Sequence, residues 1–111
     1  METMKLITKA IQKKLQKNYE THNDEDVVLK LFGGSRMTWL ITQIEPDGDI
    51  MWGLADIGLG CAEYGTISLS ELKSVRFPPF GLGVERDRYF KGGKIDDFRK
   101  YYEEKGTLNG C

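Results

Sequence analysis

Two cysteines, three prolines and one histidine are all that the 111-residue chain holds of these types. Cys61 and Cys111 form no metal-type pair, and with Cys111 as the last residue a disulfide between them is not expected. The lone histidine, His22, sits in "THNDED" (21–26) beside three acids. That stretch lacks the alternating ligands and central glycine of a calcium loop, and one histidine makes a poor zinc site. No metal and no cofactor are expected. No apolar run approaches the roughly 20 residues that span a bilayer, and the opening "METMKLITKAIQKK" lacks the apolar core of a signal peptide. Net charge is −1, which provides no large field to draw the protein onto nucleic acid or anionic lipid. A reducing cytoplasm suits these absences best.

What the chain does hold is an ordinary globular composition, 40% apolar and 30% charged, in a length that suits one domain over residues 1–111. Met4, Ile7, Ile11, Leu15 and Tyr19 recur at three- and four-residue steps, which predicts an amphipathic helix from an N-cap at Thr8 to about Lys17. Lys5, Lys9, Lys13 and Lys17 fall on its opposite face. Such a stripe could meet phosphate, although a solvated face over a packed one explains it more simply.

Three strands are predicted at 27–32, 37–45 and 49–57, rich in β-branched and aromatic residues. "EPDG" (45–48) suits a type I turn followed by a left-handed Gly48. That turn pairs Ile44 with Ile50, Thr42 with Trp52 and Leu40 with Leu54. One sheet face then carries Leu40, Ile44, Ile50, Trp52 and Leu54, and the other Met37, Trp39, Ile41, Met51, Ala55 and Ile57. A tighter turn at Asp47-Gly48 shifts the pairing by one residue. In either register both faces are apolar, so the second needs cover from the rest of the chain or from a partner, a second copy included.

"GLGCAEYGTIS" (58–68) is a glycine-rich connection into a short strand, without the spacing of a phosphate loop. Ser68 and Glu71 have capping-box spacing, which predicts a helix over about 69–75 with Leu69, Leu72 and Val75 inward. A last helix over about 95–105 starts on Asp96 and Asp97, turns Ile95, Phe98, Tyr101 and Tyr102 to one side and stops at Gly106. The expected fold is α+β: a mainly antiparallel sheet of four to five strands with an N-terminal amphipathic helix, a short middle helix and a C-terminal helix.

The order of "LITKAIQKKL", a "TW" strand, "MWGLADI", "YGTISLSEL" and "FGLGVERDRYF" resembles domain-of-unknown-function family 2958, small proteins of plasmids, phages and integrative elements. The resemblance runs from about Leu6 to Phe90. It implies a mobile-element setting, where neighbouring genes often serve conjugation or defence against restriction. It implies no activity, ligand or catalytic residue.

Residues 76–90, "RFPPFGLGVERDRYF", admit three readings. As an enzyme site, Glu85 and Asp87 would divide acid and base roles, with Arg86 or Arg88 on an anion. Yet no nucleophile–base pair stands near them, so no catalytic residue is expected. As a structural corner, the arginines would make forked bonds to carboxylates or carbonyls and fix the irregular chain. As a protein-binding surface, Arg76, Phe77, Phe80, Arg86, Arg88 and Tyr89 supply anchoring residue types, joined by Trp39 of the sheet. The leading expectation is a non-enzymatic protein-binding module of a mobile element, acting against host defence or in element maintenance. A nucleic-acid accessory protein using the lysine stripe is the alternative.

Overall fold

Thr8 caps the first helix as its spacing predicts: its Oγ1 accepts from the Ile11 N–H at 3.1 Å. In a computed structural model describing residues 6–111, this helix, α1, runs Lys9–Glu20 and turns Leu15 fully inward. Met4 and Lys5 lie outside the described residues.

The strands are β1 (Asp26–Val27), β2 (Leu29–Gly33), β3 (Met37–Ile44), β4 (Ile50–Asp56), β5 (Ala62–Ser68), β6 (Glu85–Arg86) and β7 (Gly93–Lys94). Five of them form one antiparallel sheet in the order β5-β4-β3-β2-β6. The first and last pair as a separate antiparallel ribbon, β1-β7. The predicted strand 27–32 is thus two strands in two sheets. Two further helices complete the chain, α2 (Leu69–Ser74) and α3 (Ile95–Lys105). The Ser68 hydroxyl accepts from the Glu71 N–H at the start of α2, and α3 stops at left-handed Gly106.

The central hairpin combines the two registers that its turn allowed. Gly48 has a φ of 76° and its N–H bonds to the Glu45 carbonyl, as the turn residues require. Next to the turn, however, Ile44 pairs with Met51 and Gln43 with Trp52, the tighter-turn register. A bulge between Ile41 and Gln43 then restores Leu40↔Leu54. One extra residue, Thr42, re-phases the strand. Ile44 therefore leaves the face of Leu40 and joins Trp39, Ile41 and Met51 beneath α1. This corrects the expected pairing of Ile44 with Ile50 and of Thr42 with Trp52.

The bulge is held by polar groups that the interior keeps satisfied. Asn18 of α1 donates to the Thr42 carbonyl at 3.0 Å, while the Thr42 hydroxyl meets the Trp52 carbonyl and the Tyr64 hydroxyl. Burial pushes the Tyr64 phenol up from its usual value. Gly53 lies opposite Ile41, and a side chain there would collide with the Leu40 carbonyl oxygen. A strand glycine here permits a close backbone approach.

Both sheet faces are covered by the chain itself. On one, Leu15, Leu29, Leu31, Trp39, Ile41, Ile44, Met51, Leu69 and Leu72 form a core with α1 and α2. On the other, Val27, Leu40, Leu54, Ile95 and Leu108 are buried, with Tyr64, Phe90, Phe98 and Tyr102 packed around them.

Candidate functional site

After α2 the chain must travel from one sheet edge to the other, and residues 76–90 make that passage. Arg76 Nη1 donates to the carbonyls of Lys73 (2.8 Å) and Val75 (2.7 Å), so its guanidinium closes the end of α2. Phe77 N–H bonds to the Leu82 carbonyl and Gly81 N–H to the Phe77 carbonyl, both at 2.8 Å, which closes a small loop around Pro78 and Pro79. The Phe77 ring lies on the backbone of Gly33 and Gly34, close enough that a Cβ on Gly33 would overlap it. Phe77 thus anchors the loop inward. Phe80 and Leu82 are left 82% and 62% exposed.

Val84 then enters the core and the chain pairs with β2. Glu85 stands opposite Phe32 and Arg86 opposite Leu31. Since Leu31 belongs to the α1 core, Arg86 turns to that side of the sheet. Asp87, one residue on, turns to the other side. Its N–H bonds to the Lys30 carbonyl, its Oδ2 lies 3.8 Å from Lys30 Nζ, and its Oδ1 accepts from the Tyr89 N–H at 2.9 Å. Lys30 Nζ also donates to the Cys111 carbonyl at 3.0 Å. Arg86 and Asp87 thus point in opposed directions, as neighbours in an extended segment do. Tyr89 follows at 83% exposure, and Phe90 folds back against Phe98 with ring centres 5.8 Å apart.

Arg86 and Arg88 border a cleft of about 240 Å³ between this segment and the start of α1, where Thr8, Ile11 and Lys14 form the opposite wall. Arg86 Nη1 is shut off from solvent and, among the described residues, has no hydrogen-bond partner.

The segment divides the expected binding residues into two kinds. Phe80, Arg88 and Tyr89 are exposed. Arg76, although exposed, and the half-buried Phe77 spend their polar groups and apolar surface on holding the loop, and Arg86 is half-buried. Trp39 is 6% exposed because its pairing with Leu31 and Ala55 places it in the α1 core, which corrects its expected place on a surface. Of the lysine stripe, Lys9, Lys13 and Lys17 are exposed on α1, and Lys5 falls outside the described residues. Glu85 and Asp87 fall on the same side of the segment, but Asp87 is taken up with Lys30 and the Tyr89 N–H. Sequence reasoning missed Lys30 and Lys14. A lysine in the middle of "VVLKLF" was the signal for the first, because a buried ammonium needs acceptors.

Away from this segment, Lys94 bonds to Asp26 at 2.6 Å across the β1-β7 ribbon, and with Asn23 it holds the Asp26 carboxyl below its ordinary value. Among the described residues no three acids, histidines or cysteines are grouped to hold a metal ion, and no helix is long and apolar enough to cross a membrane.

No curated protein and no solved structure matches the chain. The family described as "Protein of unknown function (DUF2958)" matches residues 3–108. A match over nearly the whole length, on a chain whose α+β architecture follows from the same segments, shows that this protein belongs to the DUF2958 family.

Proposed function

We propose that this protein is a non-catalytic module that binds another protein through the exposed part of residues 76–90. The observation that carries the reading is the exposure of Phe80, Leu82 and Tyr89 on a backbone tied down at both ends. Large side chains held out on a braced loop lose little conformational entropy when a partner covers them. Aromatic residues presented in this way are the usual anchors of interfaces. Asp87 is occupied with Lys30 and the Tyr89 N–H, which supports a bracing role for that acid in preference to catalysis.

The setting we propose is a mobile genetic element, with the partner belonging to host defence or to element maintenance. The motif resemblance supports this setting. The unpaired thiols of Cys61 and Cys111 support a reducing cytoplasm.

The test is to capture partners with the wild-type protein and with Phe80→Ala and Tyr89→Ala. Truncating a true anchor costs about 2 kcal/mol or more in binding, whereas an exposed residue without structural bonds changes stability by about 0.5 kcal/mol or less. Loss of capture with an unchanged melting temperature supports the proposal. Capture that survives both substitutions overturns it.

A further inference from the structure

We infer that the cleft between the start of α1 and residues 86–90 is a binding site for a phosphate group. This site is separate from the exposed aromatic surface, because Arg86 turns toward α1 while Phe80, Leu82 and Tyr89 are open to solvent.

The argument begins with charge. Lys14, Arg86 and Arg88 border the cleft, and among the described residues none of them has an acid within 4.0 Å. Lys30 and Asp87 border it as well, but they lie 3.8 Å from each other and offset one another's charge. Among the described residues, three cations without an ion-pair partner therefore border one concave space. A single carboxylate would balance one of them, whereas a phosphate dianion balances two and offers three acceptor oxygens.

Burial makes the imbalance costly. Arg86 Nη1 has no access to water and no acceptor among the described residues. Leaving one buried guanidinium nitrogen without an acceptor is expensive, and exceptions of this kind in folded proteins call for a specific cause. An oxyanion in the cleft that Arg86 lines would supply a counter-charge to the guanidinium. The first turn of α1, with Thr8 and Ile11 on the opposite wall, adds the positive end of a twelve-residue helix. At about 30 Å³ per water molecule the cleft has the volume of about eight waters, room for a phosphate with a small organic group attached.

The experiment is thermal unfolding of the full chain with increasing inorganic phosphate, at an ionic strength held constant with chloride. Acetate at the same concentrations serves as the carboxylate control, and the variants are Arg86→Met, Lys14→Gln and Arg88→Gln. Phosphate should raise the wild-type melting temperature along a saturating curve, and acetate should raise it less. Arg86→Met should lose the saturating rise. Lys14→Gln and Arg88→Gln, at exposed positions, should fold normally and shift half-saturation about tenfold upward. If Arg86→Met does not fold, these two variants decide the matter. A wild-type protein with no saturating response overturns the assignment. So does an equal response to acetate, or a phosphate response unaltered in the folded variants.

Discussion

Beneath α1 the sheet buries a continuous aliphatic cluster that runs from Leu15 through Leu31 and Ile41 to Leu69, while beneath α3 five buried residues are ringed by half-buried aromatic side chains. The first face is closed by a helix whose apolar stripe is long enough to seal it. The second is closed piecemeal, by α3, by Phe90 and by the chain around Leu108. A polar tether compensates for the thinner packing. Asp56 is 2% exposed, and its carboxylate accepts from the Leu108 N–H at 2.9 Å, the Thr107 hydroxyl at 3.3 Å and the Gly58 N–H at 3.0 Å. One face is thus held by area removed from water and the other partly by a carboxylate in a fixed place. The two differ in how each should fail.

The largest expected effect separates them by packing. Leu15→Ala should cost about 4 kcal/mol and Leu108→Ala about 2–3 kcal/mol, because a cavity beside a terminal coil can collapse while one under a rigid helix cannot. Urea unfolding of both variants measures the difference, and equal costs would break the comparison.

Next in size is the tether. Asp56→Ala removes the acceptor of three donors, one of them buried, and should cost about 2 kcal/mol. Amide hydrogen exchange localises the loss: protection should fall in α3 and residues 106–109 while β2 and β3 keep theirs. A uniform loss across the sheet would show that the two faces unfold as one unit.

The smallest effect is an acid-side one at the edge of the α1 face. Asp49 accepts from the Ser70 N–H at 2.7 Å and the Ser68 hydroxyl at 2.9 Å, and these bonds hold its carboxyl below the ordinary 3.8. Since the folded value is the lower one, the stabilisation is complete above about pH 5 and fades as the pH falls through 3.8 toward the lower folded value. The melting temperature of Asp49→Asn should therefore fall less steeply than that of the wild type from about pH 5 to about pH 3. Parallel curves would remove Asp49 from the bonds that hold α2 to the sheet.

Local chemistry was legible from the chain alone wherever one residue dictates one geometry. Thr8, Ser68 and Gly106 mark helix ends because a hydroxyl cap or a left-handed residue is needed there, and all three helices lie within a few residues of their expected bounds. The apolar content of β3 and β4 likewise required that both sheet faces be covered. Tertiary structure decided the rest. The bulge at Thr42 depends on Asn18 from α1 and Tyr64 from β5, partners 24 and 22 residues away, so no turn rule could place Ile44 beneath α1. Trp39 went inward because of its strand partners, while Tyr89 stands exposed on a turn that Asp87 ties down through the Tyr89 N–H. Nothing in the spacing of Lys14 from Arg86 brings them to one cleft; that required a two-residue strand to pair with β2 and set Arg86 beside the start of α1. Short-range hydrogen bonding is written along the chain, but the meeting of distant charges depends on how its elements pack.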